Sequence, residues 1–172
     1  MSVENEHRLR FRDAMASLSA AVNIITTDGP AGRCGMTATA VCSVTDTPPT
    51  LMVCINRNSA MNPVFQENGH LCVNILNHEQ ELMARHFAGM TNTSMEERFN
   101  WNIWQTGTLG QPLLKETLAN LEGRIDQVQE IGTHYVYLVE VKQIMVHEEG
   151  HGLIYFKRSF HPVMDKAMVT AV

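Results

Sequence analysis

Short runs of β-branched and alternating apolar residues, which are typical of β-strands, occupy much of this chain. Apolar residues recur at helical spacing in only a few stretches. That spacing predicts helices over residues 6–19, from Pro63 onward, and over residues 78–88, where Gly89 ends the last helix. The other apolar runs predict seven strands, over residues 22–27, 33–45, 50–56, 70–76, 121–126, 135–146 and 153–156.

Most of these strands are joined by short turns, which predicts a largely antiparallel sheet. A closed or nearly closed barrel would protect the edges of such a sheet. A capping-box pattern at residues 94–97 predicts a further short helical piece, and residues 100–112 are predicted to form an ordered loop. The fold class is therefore expected to be mainly β with short helices.

The length of 172 residues fits one domain, predicted over residues 1–172, and 44% apolar residues fit a packed globule. A net charge of −5 argues against non-specific binding to nucleic acid or to an anionic membrane. The N-terminal stretch is polar, and no apolar run reaches the roughly 18 residues of a membrane helix. No Cys-x-x-Cys pair occurs, so the four cysteines are expected to be buried free thiols in a protein of the reducing cytoplasm.

Residues 147–151 read His-Glu-Glu-Gly-His and match a zinc-protease pattern letter for letter. That chemistry needs both histidines one turn apart on a helix. Here the segment lies between two predicted strands and contains Gly150, so we predict a hairpin turn and no metal site. The chain also lacks the glycine patterns of dinucleotide and phosphate loops and the G-x-S-x-G pattern of a nucleophile elbow.

The predicted strand over residues 33–45 has an unusual share of small residues and hydroxyls. Gly35, Ala38 and Ala40 leave space beside the backbone, so a flat ligand could lie against the main chain there. The alternative is an ordinary strand whose small residues make room for a helix. Composition alone favours this second interpretation.

Two other positions are candidates for binding. Residues 56–60 lie between a buried strand and a helix start, where Ser59 and free N–H groups could hold a phosphate, or where Asn58 or Ser59 could cap the helix. His134 begins a strand directly after Gly132-Thr133, a position that is more often structural than catalytic. Tyr155 and Arg158 provide aromatic and cationic groups near the end of the chain.

Taken together, these segments resemble the short-chain flavin reductases of two-component flavin monooxygenases. The resemblance runs from about residue 8 to about residue 163 and rests on the order and spacing of several motifs. They are Gly35-Met-Thr-Ala-Thr-Ala-Val-Cys-Ser-Val, the Pro48-Pro49 turn, Leu51-Met-Val-Cys-Ile-Asn, Asn68-Gly-His-Leu-Cys-Val-Asn-Ile-Leu, Ala84-Arg-His-Phe-Ala, Leu121-Glu-Gly and Gly132-Thr-His.

The resemblance implies a split β-barrel of the FMN-binding type, usually a homodimer. It implies NADH-dependent reduction of FAD or FMN, with the flavin as a substrate or a loosely bound cofactor. The reduced flavin then passes to a separate flavin-dependent oxygenase that hydroxylates a phenol in the catabolism of aromatic compounds.

The resemblance also assigns residues. It places His134 beside the nicotinamide as the candidate catalytic residue, which orients the ring rather than acting as an acid or base. The flavin ring is expected against the backbone of Thr37, Ala38, Thr39, Ala40 and Val41. The ribityl-phosphate arm is expected at Asn56 and Ser59. Arg85, His86, Phe87, Tyr155 and Arg158 are expected to line the rest of the site.

Two alternatives remain on the same barrel. One is a non-catalytic flavin-binding carrier or redox sensor, which would bind flavin tightly and ignore NADH. The other is an oxidase resembling the pyridoxamine-phosphate oxidases, which would need more basic residues for its substrate phosphate than this chain offers.

Overall fold

The computed structural model describes residues 2–166, so Met1 and residues 167–172 of the predicted domain lie outside the described residues. The α-helices are α1 (Val3–Ala16), α2 (Asn62–Asn68), α3 (Glu81–Phe87) and α4 (Met95–Asn100), and a 3₁₀ turn spans His78–Gln80. The strands are β1 (Ala20–Ala21), β2 (Asn23–Thr27), β3 (Cys34–Ala38), β4 (Val41–Asp46), β5 (Pro49–Asn56), β6 (His70–Ile75), β7 (Trp104–Thr106), β8 (Pro112–Leu114), β9 (Ala119–Ile131), β10 (His134–Val146), β11 (Gly152–Phe156) and β12 (Ser159–Val163). The mainly β fold with short helices is confirmed.

The main sheet has seven strands in the order β3-β2-β6-β9-β10-β5-β4, and each neighbouring pair is antiparallel. The two longest strands, β9 and β10, have 13 residues each and pair near the middle of the sheet. The prediction of a largely antiparallel sheet is therefore confirmed.

The predicted single strand over residues 33–45 is wrong, because the chain forms two strands there. These strands, β3 and β4, lie at opposite edges of the seven-stranded sheet, yet only Thr39 and Ala40 separate them. Two residues can connect opposite edges only if the sheet curls until its edges meet. Residues 37–41 lie where these two edges meet, and β3 and β4 are not joined there by a continuous ladder of backbone hydrogen bonds. We call residues 37–41 the seam segment.

The core consists of two packed clusters. The first fills the barrel with β-branched and aromatic side chains, among them the fully buried Ile25, Phe65 and Tyr137. The second lies under α3 and is built around Phe87, Phe99 and Trp104, whose ring centroids are 4.8–5.6 Å apart. Such pairs add to the area that each ring buries.

Two smaller sheets complete the fold. The strands β1, β11 and β12 form one of them. In the other, β7 lies within the predicted 100–112 loop and pairs with β8, which begins at the end of that range. The segment 147–151 joins β10 of the main sheet to β11 of the smaller sheet, so it is not the predicted hairpin turn. It is not helical either, so it lacks the arrangement that the zinc pattern requires.

The cysteines are all free, but they are not all buried as predicted. Cys34 and Cys72 are buried, Cys54 is half-buried and Cys42 is exposed on β4. Burial, with a smaller effect of Asp28, raises the pKa of Cys34 to about 12, and burial also raises the pKa of Cys72. Thiolates, not thiols, react with disulfide reagents, so the two buried groups should be inert near neutral pH.

We expect one rapidly reacting thiol, Cys42, in the folded protein and no reaction of Cys34 or Cys72 until the protein unfolds. Absorbance during titration with an aromatic disulfide at mildly alkaline pH measures this. The fast phase should be absent from the Cys42→Ser variant. A fast phase of equal size in that variant would contradict the assignment.

Candidate functional site

The seam segment combines small side chains with unpaired backbone groups. Ala40 is exposed, and within the described residues the N–H groups of Thr39 and Ala40 donate to no protein acceptor. The Ala40 carbonyl accepts a hydrogen bond from the Cys54 N–H at 3.0 Å, which holds the segment against β5. The two amides are therefore fixed donors beside an open face, which is the arrangement expected for a ligand lying against the main chain.

The end of β5 and the beginning of β10 meet next to the seam segment. In the ladder, His134 lies directly opposite Asn56, and Asn56 is two residues beyond Cys54. The His134 ring forms a hydrogen bond through Nδ1 with the Thr133 hydroxyl at 2.9 Å. The strand register thus brings the predicted nicotinamide residue, the predicted phosphate-arm residue and the seam segment to one end of the barrel.

The loop over residues 56–61 is held by local hydrogen bonds. The Asn56 side chain accepts from the Asn58 N–H at 2.9 Å, and the Ser59 hydroxyl accepts from the Met61 N–H at 3.3 Å. Neither Asn58 nor Ser59 is the helix cap, because α2 begins after Met61, whose side chain makes no capping bond. Ser59 is half-buried, so its hydroxyl is only partly shielded from a ligand.

The helix α3 is tied to the seam segment by one hydrogen bond. The Thr37 hydroxyl donates to the Ala84 carbonyl at 2.7 Å, so this side chain has a structural partner already. Arg85 pairs with Glu81 at 2.6 Å, and its guanidinium lies 4.9 Å from the ring of Phe160.

The aromatic residues expected in the site differ in how accessible they are. Phe87 is only 3% exposed and belongs to the second core cluster. Tyr155 is half-buried and packs on Phe160 with ring centroids 5.0 Å apart. Tyr155 can therefore offer a face to a ligand, whereas the contribution of Phe87 is to pack under α3.

Two predicted site residues point to other partners. His86 forms a 2.7 Å hydrogen bond with the Thr91 hydroxyl, and its ring lies 4.8 Å from that of Trp101. Arg158 lies exposed at the turn between β11 and β12 and forms a 2.6 Å ion pair with Asp13 of α1. Among residues 2–166, neither side chain forms a hydrogen bond or an ion pair with the seam segment, so their roles toward a cofactor stay predictions.

The structure adds residues that sequence reasoning missed. Asn62 is 2% exposed and Tyr137 is fully buried, and the Tyr137 hydroxyl donates to Asn62 Oδ1 at 2.8 Å. Burial raises the pKa of Tyr137, so its hydroxyl stays protonated and available as a donor. The only signal in the sequence was a polar residue directly before Pro63, which also fits an ordinary helix start.

Among residues 2–166, no group of three or more His, Cys, Asp and Glu side chains is arranged to hold a metal ion. None of the helices in that range has the length and apolar character needed to cross a membrane.

Comparison with known proteins decides the family. The family sequence model of the flavin reductase-like domain matches residues 15–164. The chain belongs to the flavin reductase-like family. The resemblance drawn from the sequence motifs is thereby confirmed, and so is the expectation of a split barrel for the fold.

Members of this family with curated names are close in sequence. The chain is 77% identical over 160 residues to the 4-hydroxyphenylacetate 3-monooxygenase reductase component of Escherichia coli, covering 93% of this chain and 94% of that protein. It is 53% identical over 157 residues to the FMN reductase (NADH) RutF of Escherichia coli O127:H6, covering 91% and 94%.

A solved flavin reductase shares the fold. The NADH:FAD oxidoreductase SgcE6 of Streptomyces globisporus C-1027, in complex with NAD and FAD fragments, superposes with a TM-score of 0.85. It is 26% identical, and the match covers 97% of this chain and 99% of that chain. The barrel that carries the seam segment is thus that of a flavin reductase.

The residues at the seam fit an isoalloxazine ring. The free N–H groups of Thr39 and Ala40 are the donors that flavin carbonyl oxygens need, and the alanine side chain at position 40 leaves space for a flat ring.

Proposed function

We propose that this flavin reductase transfers a hydride from NADH to FAD or FMN and supplies reduced flavin to a separate oxygenase that hydroxylates 4-hydroxyphenylacetate. The observation that carries the proposal is the 77% identity, over almost the whole of both chains, to a reductase component of 4-hydroxyphenylacetate 3-monooxygenase. The similarity to an FMN reductase that uses NADH, and to a structure with NAD and FAD fragments, supports the choice of both cofactors.

The reaction requires no protein nucleophile, since bound flavin supplies the hydride acceptor and NADH the donor. The N–H groups of Thr39 and Ala40 would donate to the flavin carbonyl oxygens and stabilise negative charge there. His134, opposite Asn56, would orient the nicotinamide, because reacting atoms must be held at roughly 3–3.5 Å for transfer. Asn56 and Ser59 would hold the ribityl-phosphate arm at the 56–61 loop.

The decisive test is to mix the pure protein with NADH and excess FAD and to follow absorbance at the NADH band. Rapid, catalytic loss of NADH is expected, with FMN tested in parallel. A carrier or sensor would bind flavin without consuming NADH, and an oxidase would instead consume a bound amine. Either result would exclude the reductase proposal.

We expect His134→Ala to raise the KM for NADH by about tenfold and to leave flavin affinity nearly unchanged. The reason is that the proposed contact orients the substrate rather than transferring a proton. Steady-state kinetics with each substrate varied, together with a melting curve, measure the effect.

The exposed His147→Ala variant is the matched control, because that residue lies in the connection after β10 and should leave the kinetics unchanged. A collapse of kcat by roughly 10²–10⁴-fold would instead indicate an essential acid or base. An unchanged KM for NADH in a folded variant would remove His134 from the site.

A homodimer is part of the proposal. The helix α1 has no buried residue, and Phe11 and Met15 on one of its faces are 60% and 48% exposed. Exposed apolar side chains on one face of a helix commonly mark an interface, and a second copy of the chain is the proposed partner.

Light scattering should give the mass of a dimer for the unaltered protein, and the mass of a monomer for the Phe11→Glu/Met15→Glu double variant.

The proposed location is the cytoplasm, where NADH is available. The four free cysteines support a reducing compartment. The partner oxygenase can receive reduced flavin by diffusion, so the proposal requires no stable complex between the two proteins.

A further inference from the structure

The buried side chain of Asn62 forms hydrogen bonds with the backbone of the 56–61 loop. Its amide Nδ2 donates to the Asn56 carbonyl at 2.8 Å and to the Ser59 carbonyl at 3.3 Å. These two carbonyls lie at the start and in the middle of the loop. A buried amide with both donors used on backbone acceptors fixes the path of that backbone.

Tyr137 fixes the orientation of this amide. Its hydroxyl donates to Asn62 Oδ1 at 2.8 Å, and Tyr137 is fully buried on β10. With Oδ1 occupied by that donor, Nδ2 is left facing the two loop carbonyls. The alternative orientation of the amide would place its NH₂ group against the hydroxyl hydrogen and leave both carbonyls without this donor.

The beginning of the loop is also held by β9 and by the turn between β9 and β10. The Arg57 N–H donates to the Thr133 carbonyl at 3.0 Å, and the Arg57 side chain pairs with Glu130 at 2.7 Å. The loop is therefore held at its beginning by Thr133 of the β9–β10 turn, and at its start and middle by Tyr137 of β10 acting through Asn62. The same strand begins with His134.

We propose that Asn62 and Tyr137 are positioning residues for flavin binding, which hold the 56–61 loop in the conformation that receives the phosphate-bearing arm. The inference rests on the proposed function, because it takes that loop as the place of the arm. A loop that is already ordered binds without the loss of conformational entropy that a mobile loop suffers, so the pair raises flavin affinity without touching the flavin.

The experiment compares three variants. Asn62→Asp keeps the acceptor for Tyr137 but has no N–H donors, Tyr137→Phe removes only the hydroxyl, and Gln66→Ala is the matched control. Gln66 is exposed and donates to the same tyrosine hydroxyl at 3.3 Å, but within the described residues its side chain forms no hydrogen bond with the loop. Dissociation constants for FMN and riboflavin, from flavin fluorescence, are measured beside kcat, both KM values and a melting curve.

We expect the dissociation constant for FMN to rise roughly tenfold in Asn62→Asp and by a few-fold in Tyr137→Phe, since each lost hydrogen bond counts for a few-fold. Riboflavin, which lacks the phosphate, should be affected less, and kcat at saturating flavin and the KM for NADH should stay near the values of the unaltered protein. Gln66→Ala should bind both flavins like the unaltered protein.

Several results would overturn the inference. One is unchanged FMN affinity in both loop variants, and another is an equal loss for FMN and riboflavin. A Gln66→Ala variant as impaired as Tyr137→Phe would also do so, since general loosening of the core would then explain the data. If Asn62→Asp does not fold, Tyr137→Phe alone decides.

The binding titration separates this inference from the proposed function. Protein that binds FMN but consumes no NADH would refute the reductase proposal, while the FMN and riboflavin constants of the variants would still decide the positioning role. If the unaltered protein consumes NADH in the presence of flavin but the variants bind FMN normally, only the positioning role is refuted.

Discussion

Replacing Glu122 with alanine is expected to lower the free energy of unfolding by about 3–5 kcal/mol. Glu122 is 2% exposed, and its carboxylate accepts hydrogen bonds from three N–H groups of one loop, those of Thr108, Leu109 and Gln111, at 2.9–3.3 Å. Without the carboxylate, all three donors lose their partner. Each buried donor left without a partner lowers the free energy of unfolding by about 1–3 kcal/mol. The loss is smaller where a water molecule can accept the hydrogen bond instead.

Thermal melting measures this effect, and the midpoint should fall by roughly 6–20 °C for a chain of this size. Glu140→Ala is the matched control, because that carboxylate is partly exposed and pairs with Arg124 and Lys142 on the surface. Its loss should cost less than about 1 kcal/mol. A loss below about 1 kcal/mol for Glu122→Ala would show that the loop is held by other contacts.

Gly107 offers an independent check on the same contact. A Cβ atom at position 107 would lie 2.2 Å from the Glu122 carboxyl carbon, closer than any real contact. Because three hydrogen bonds fix that carboxylate, it cannot move aside without losing them. Gly107→Ala should therefore destabilise the protein in the same direction as Glu122→Ala, and the two effects should not add in the double variant.

Replacing Ser59 with alanine is expected to weaken FMN binding by about 10- to 100-fold and to change kcat much less. A lost hydrogen bond to a charged phosphate accounts for about 1.5–3 kcal/mol, which corresponds to that range. In the structure the Ser59 hydroxyl accepts from the Met61 N–H at 3.3 Å, so its own hydrogen is available to donate to a phosphate oxygen.

Fluorescence titration with FMN and with riboflavin tests the assignment. Riboflavin has no phosphate, so its affinity should hardly change in Ser59→Ala. The exposed Ser159 on β12 provides the control, and Ser159→Ala should bind both flavins normally. Equal weakening of FMN and riboflavin by Ser59→Ala would place the phosphate elsewhere.

Much of this protein was determined locally by its sequence. The alternating and β-branched runs located all seven predicted strand regions, because a strand with one buried face needs that period wherever it lies in the fold. The motif order identified the family, and with it the split barrel. The Ser94 capping box was predicted and is present, since its hydrogen bonds span only three residues.

The tertiary structure decided what depends on contacts distant in sequence. The break at Thr39 and Ala40 leaves no mark in a run of small and β-branched residues, because it comes from the sheet curling until β3 and β4 meet. Glu122 alternates with apolar neighbours like a solvent-facing residue, yet it is buried because the 108–111 backbone folds over it. The pairing of Asn62 with Tyr137 spans 75 residues, so only the folded barrel could place the amide, the tyrosine and the 56–61 loop together.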